Sequence, residues 1–123
     1  MKFTVDKQVQ YAVITLEEEN LNSLIAPDLK SEFVIFHNEG IRNIILDLCK
    51  VKYVDSSGLS AILTGNRLWK NHGSFLLTGI VDLNVKKLFE ISRLDTILVM
   101  IPTLAESVDY VIMEEVEREL SNE

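Results

Sequence analysis

Reactive side chains are scarce in this chain. It carries one cysteine, Cys49, and two histidines, His37 and His72. An internal disulfide is therefore excluded, and the lone thiol suits a reducing compartment. A zinc centre needs three or four Cys or His ligands; the supply is too small and too dispersed, so no metal is expected. The loops G-x-x-x-x-G-K-S/T and G-x-G-x-x-G are both absent, which removes the usual cradle for a nucleotide phosphate and leaves no cofactor to expect. No apolar run approaches the ~20 residues that span a bilayer. The start, Met1-Lys2-Phe3-Thr4-Val5-Asp6, lacks the apolar core of a signal peptide. The expectation is a cytoplasmic protein without membrane insertion. Cations are also few: 12 Lys and Arg against 19 Asp and Glu give a formal charge of −7. Nucleic acid, which requires clustered Lys and Arg, is not an expected partner. Solubility accounts for the acidity, and a basic protein partner is the sharper reading.

What is present is a foldable α/β pattern. The 123 residues, 47% hydrophobic and 25% charged, suit one globular domain over 1–123. Phe3 and Val5, then Val9, Tyr11, Val13 and Thr15, predict two short strands joined near Asp6 to Gln8. Glu17-Glu18-Glu19-Asn20 reads as a solvated turn. Asn22 or Ser23 is placed as N-cap of a first helix, whose apolar stripe is Leu24, Ile25, Leu29, Phe33 and Phe36, with Lys30, Glu32 and Asn38 on the other side. Gly40 closes it as a left-handed residue. Ile41–Leu48 reads as a strand buried on both faces. A second helix runs from Asp55 to about Asn71-His72-Gly73. Ser74–Thr78 is the next strand, Val81–Ile91 a helix, and Ile97–Ile101 the last strand. Thr103 and Glu106 form a capping-box pattern for a final helix, given the inner face Ala105, Val108, Val111, Ile112, Val116 and Leu120 and the outer face Glu114, Glu115, Glu117 and Glu119. Ser121-Asn122-Glu123 is expected to fray. The order β-β-α-β-α-β-α-β-α predicts a mixed four- to five-stranded sheet flanked by about four helices.

The informative stretch is Asn43 to Trp69. A strand delivers the turn Asp55-Ser56-Ser57-Gly58 to the start of a helix, where backbone N–H groups are unpaired and the field favours negative charge. Either serine can cap the helix. Its neighbour would remain free to take a phosphate, which adds about −1.5 to −2 charges. A Ser-His-Asp arrangement would need a histidine here, yet His72 lies at the far end of the same helix and His37 near the end of the first. Asp-Ser-Ser-Gly is also not a G-x-S-x-G elbow. No catalytic residue is assigned, and an enzyme is the least favoured class.

Asp47-Leu48-Cys49-Lys50-Val51-Lys52-Tyr53-Val54-Asp55-Ser56-Ser57-Gly58-Leu59 resembles the signature of the STAS family, D-L-x-x-V-x-x-M/I/V-D-S-S/T-G-L/I, named for sulfate transporters and anti-sigma factor antagonists. Gly73–Gly79 resembles the family's fourth strand, and Val85–Leu94 its V-x-R/K-L/V-L/F-x-x-S/T-G-L segment. The resemblance implies an anti-anti-sigma role. The unphosphorylated protein would bind an anti-sigma factor of the GHKL serine-kinase type and release the sigma factor. Phosphorylation, carried over to Ser56, would switch it off, and a PP2C-type phosphatase would restore it. Partner contacts are expected from Asn22, Ser23, Asp55, Ser56, Ser57, Gly58, Ser60 and Thr64, with Gly58 allowing close approach of the partner. Two departures stand out. Glu19-Asn20-Leu21-Asn22 replaces a G-x-L/I/F-D run, keeping hydrogen bonding at Asn22 without the charge. Arg93 stands where glycine is common, so a different turn is expected there. The long acidic last helix offers a second contact surface. A phosphorylation-independent interaction subunit of a transporter or scaffold is the alternative, a small-ligand binder a third reading, and homodimer formation is left open.

Overall fold

The computed structural model describes residues 1–121. Strands β1 (Phe3–Lys7) and β2 (Ala12–Leu16) pair antiparallel, Phe3 opposite Leu16. Their turn spans Gln8 to Tyr11, with the Gln8 N–H donating to the Tyr11 carbonyl. Val9 lies fully exposed in that turn rather than in a strand. A two-residue β3 (Asn20–Leu21) precedes α1 (Ala26–Asn38) and β4 (Asn43–Asp47). A two-residue β5 (Tyr53–Val54) precedes α2 (Ser56–Trp69) and β6 (Ser74–Thr78). Then come α3 (Leu83–Ile91), a 3-10 turn (Leu94–Thr96), β7 (Val99–Ile101) and α4 (Leu104–Ser121). The fraying expected at Asn122 and Glu123 lies outside the described residues.

The main sheet has the order β1-β2-β4-β6-β7, and β2, β4, β6 and β7 are mutually parallel. Helices α1, α2 and α3 are the crossovers between successive parallel strands. The mixed five-stranded sheet with four helices is the architecture the alternating pattern predicts; the β3–β5 pairing is an addition to it. Strand alternation splits the core in two. Ile44 and Leu46 join Ile14, Leu29, Phe33, Ile62, Trp69, Phe75 and Phe89 on the crossover side. Ile45 joins Val13 and Leu76 under Val111 of α4. On the larger side Phe33 meets Trp69 and Phe75 edge to face, at 6.1 and 5.4 Å between centroids. A Cβ at Gly65 would press on the Phe33 and Phe75 rings, so glycine there lets α2 lie close.

Several local expectations are corrected. Leu24 and Val81 are exposed, because each precedes the first helical residue and points away from the sheet. Glu17, Glu18 and Glu19 are engaged: Glu17 pairs with Lys50, Glu19 with Lys52, and Glu18 accepts from the Lys2 N–H. Gly40 takes the left-handed conformation as expected, with φ +83. After α2, however, it is Asn71 that does so, with φ 69. Gly73 is required for space, since a Cβ there would collide with the Arg42 carbonyl. Arg93 adopts φ 57 itself, so the turn after α3 is left-handed without the glycine.

The largest correction concerns α4. Thr103 Oγ1 accepts from the Glu106 N–H at 3.2 Å, so its start is capped as expected. The inward face, though, is Ser107, Val111 and Glu115. Ala105, Ile112, Val116 and Leu120 face outward, and Glu115, assigned to the outer face, is buried. The sheet explains this. Asn43 lies on the same strand face as Ile45, and Ser74 on the same face as Leu76, one pleat along. That end of the α4-facing surface is polar and needs polar partners. The Asn43 side-chain amide donates to Glu115 Oε1 at 2.8 Å and to the Gln10 carbonyl at 2.6 Å. Arg118 reaches Glu115 at 2.7 Å and the Ser74 hydroxyl at 2.7 Å. Arg42 pairs with the other Glu115 oxygen at 3.4 Å.

Candidate functional site

The serine turn is positioned by the small β3–β5 pairing. Asn20 lies opposite Tyr53 and Leu21 opposite Val54, in parallel. The N–H groups of Lys52 and Tyr53 both donate to the Glu19 carbonyl, and the Asp55 N–H donates to the Leu21 carbonyl at 3.2 Å. Two loops about thirty residues apart in sequence are thereby stapled side by side. The Asn22-Ser23 loop and the Asp55–Gly58 turn emerge next to each other, at one end of the parallel strands.

At this end neither expected cap is a serine. Asp55 is the N-cap of α2, and its carboxylate accepts from the Gly58 N–H at 2.9 Å. Ser56 and Ser57 are the first two helical residues, Ser56 exposed and Ser57 half-buried. Their hydroxyls are not spent on starting the helix. The carboxylate at N-cap also complements the positive end of the helix dipole. The first helix likewise starts without a side-chain cap: Ile25 occupies the N-cap position. Asn22 instead folds the loop ahead of it, its Oδ1 accepting from the Leu24 N–H at 3.1 Å and its carbonyl accepting from the Ile25 and Ala26 N–H groups. Pro27 then enters the first turn, where a missing N–H costs nothing.

Between α1 and α2 lies a cavity of about 260 Å³, lined by Ser23, Ala26, Pro27, Lys30, Ser56, Ser57 and Ser60. Four of the sequence-predicted residues, Ser23, Ser56, Ser57 and Ser60, thus meet at one opening. Asn22 and Asp55 flank it and shape its two loops. Thr64 lies one turn beyond Ser60 and is occupied, donating to the Ser60 carbonyl at 3.0 Å. Gly58 packs inside the protein. It is buried, and a Cβ there would collide with the Leu21 carbonyl oxygen and press on Leu21 Cγ and Val54 Cγ1, both at 2.9 Å. Glycine at 58 serves the close approach of α2 to β3, within the protein.

Lys30, with Ala26 and Pro27, is absent from the residues expected at the site. Its signal was present: Ser23, Pro27 and Lys30 follow the four-three spacing of one helix face. The histidines lie elsewhere. His37 and His72 meet edge to face at 5.2 Å beside Trp69, at the opposite end of α2 from Ser56. Cys49 sits in the loop after β4; partial burial, then the Asp47 carboxylate, hold its thiol above the usual range, so it is a poor nucleophile. Among the described residues, no group of three or more His, Cys, Asp or Glu side chains is placed to hold a metal ion. Nor is any helix long and apolar enough to cross a membrane.

Comparison with known proteins places this geometry. The chain is 31% identical over 93 residues to BtrV of Bordetella bronchiseptica, provisionally named an anti-sigma factor antagonist; the match covers 75% of this chain and 78% of that protein. A Thermotoga maritima crystal structure, provisionally assigned as an anti-sigma factor antagonist, is 26% identical with a TM-score of 0.77, covering 89% of this chain and 93% of that one. The Bacillus cell-fate determinant SpoIIAA in its phosphorylated form has a TM-score of 0.68 at 21% identity, covering 89% of this chain and 99% of that one, and shares the fold. The model of the STAS domain matches residues 2–109, strand β1 through the first third of α4 and with them the whole serine turn. With this match, the five-stranded sheet and the Asp55-Ser56-Ser57-Gly58 turn in hand, the chain belongs to the STAS domain family.

Proposed function

We propose that the protein is an anti-sigma factor antagonist switched by phosphorylation at Ser56. In the unphosphorylated state it binds an anti-sigma factor of the GHKL serine-kinase type and frees the sigma factor. Phosphorylation at Ser56 ends that binding, and a PP2C-type phosphatase reverses it. The observation that carries the reading is the division of labour at the start of α2. Asp55 does the capping, and Ser56 is left exposed at the first helical position with its hydroxyl free for chemistry. In the transfer, Ser56 Oγ bonds to the γ-phosphorus of ATP, the bond to ADP breaks, and the hydroxyl proton passes to a base on the kinase. The product adds a dianion of about −1.5 to −2 charges at a helix start able to receive it. A partner surface packed over the turn would not tolerate it. The contact surface proposed is Ser23, Ser56, Ser57 and Ser60 with the adjoining Pro27 and Lys30; Asn22 and Asp55 support it, and Thr64 lies at its edge. Naming of the Bordetella and Thermotoga relatives as anti-sigma factor antagonists supports this reading over a transporter subunit.

The test is incubation with ATP and a GHKL-type anti-sigma kinase, with phosphate mapped by mass spectrometry and complex formation measured by calorimetry. Expected are modification at Ser56, intact binding by Ser56→Ala, and at least tenfold weaker binding by Ser56→Asp. Phosphate confined to another residue, or a Ser56→Asp protein that binds as wild type, overturns the switch.

A further inference from the structure

Two cations near the serine end of the molecule are already paired: Lys50 with Glu17, and Lys52 with Glu19. Lys30 differs. It stands on the second turn of α1, half-buried, and among the described residues it makes no ion pair. It lines the cavity between α1 and α2 together with the hydroxyl-bearing Ser23, Ser56, Ser57 and Ser60, and no carboxylate shares that lining. Asp28 and Asp55, which adjoin the cavity-lining segments, are engaged elsewhere. Asp28 faces the amino-terminal ammonium at 3.4 Å, and Asp55 accepts from the Gly58 N–H. A cation therefore looks into an opening that holds hydroxyls and no anion, in a protein whose net charge is −7. Partly desolvated walls weaken screening there relative to open water.

Building on the Ser56 switch, we propose that Lys30 is the receptor, within the same chain, of the phosphate on Ser56. Once the phosphoryl group is in place, the Lys30 ammonium pairs with its oxygens across the cleft. The phosphate and the lysine together fill the opening between the Ser23 loop and the start of α2. Phosphorylation thus closes the contact surface from inside the molecule, in addition to placing a bulky dianion under the docked partner. It also removes the Lys30 side chain from the proposed contact surface. Lys30 is a positioning residue here, with no part in the phosphoryl transfer itself.

The test uses full-length protein with phosphoserine incorporated at 56 during translation, so that no kinase is needed. Phosphorus NMR then follows titration of the phosphate in wild type, Lys30→Gln and Lys30→Arg. A phosphoserine dianion protonates with a pKa of about 6, and a cation in contact favours the dianion. Expected is a phosphate pKa lower in wild type than in Lys30→Gln by about half a unit or more, roughly a threefold change in the dissociation constant. Lys30→Arg should keep the low value. Both variants should unfold in urea at the wild-type midpoint before phosphorylation, since Lys30 is a half-exposed side chain without an ion-pair partner. Identical titrations in wild type and Lys30→Gln overturn the pairing. That result would leave the switch intact, whereas a kinase that ignores Ser56 would overturn the switch and leave the titration readable.

Discussion

At the scale of single residues, the start of α2 assigns distinct tasks to four neighbours. Asp55 caps, Ser56 stays exposed, Ser57 lies half inside the cleft, and Gly58 makes room for Leu21. A motif of four residues predicts a cap somewhere among them, and local preference alone does not choose between aspartate and serine, because both are strong N-caps. The choice is made by the backbone. The Asp55 N–H is bound to Leu21, which fixes Asp55 with extended φ −101 and ψ −175, the geometry of a capping residue. Replacing Asp55 by alanine should therefore cost about 1 kcal/mol, whereas Ser56→Ala and Ser57→Ala should each stay within about 0.5 kcal/mol of wild type. Urea unfolding at constant slope checks this; equal losses at 55 and 56 would mean that a serine shares the cap.

At the scale of elements, α4 shows how a sheet sets the rotation of the helix on top of it. Apolar periodicity favours placing Ile112, Val116 and Leu120 inward. The polar pair Asn43 and Ser74 at the end of β4 and β6 requires Glu115 and Arg118 instead. An unpartnered buried amide or carboxylate costs more than the exposure of a few aliphatic side chains. Glu115, 4% exposed, holds Asn43, Arg42 and Arg118 at once. Removing it by Glu115→Ala should destabilise by about 3 kcal/mol, near the usual loss when one side of a buried ion pair is taken away. Glu115→Gln, which retains an acceptor for the Asn43 amide, should lose less. Thermal unfolding of both variants distinguishes this from a surface salt bridge, whose removal would cost at most about 1 kcal/mol.

At the scale of the whole molecule, the proposed switch predicts that stability and partner binding separate at Ser56. A negative charge in the first turn of a helix stabilises by about 0.3–1 kcal/mol, so Ser56→Asp should raise the urea midpoint slightly while weakening partner binding. A lowered midpoint would instead attribute lost binding to damage of the fold. Much of this architecture is legible in the chain. The run from β2 to β7 alternates strand and helix, the crossovers follow, and the Asp55–Gly58 turn marks the end carrying the proposed site. These follow from periods of 2 and 3.6 and from turn and cap residues, which are local properties of a sequence. The two-residue strands β3 and β5 are too short to carry a period. Lys30 reads locally as one more exposed helix charge. Glu115 reads as one of a run of surface glutamates. By itself, then, the sequence determined the order of the helices and main-sheet strands, the mixed, largely parallel sheet and the position of the serine turn, because nearest neighbours along the chain decide those. Only the tertiary structure decided that the Ser23 loop lies against the serine turn, that Lys30 faces it, and that α4 turns its aliphatic side to solvent. Those depend on pairings across tens of residues, where satisfying buried polar groups outweighs local apolar pattern.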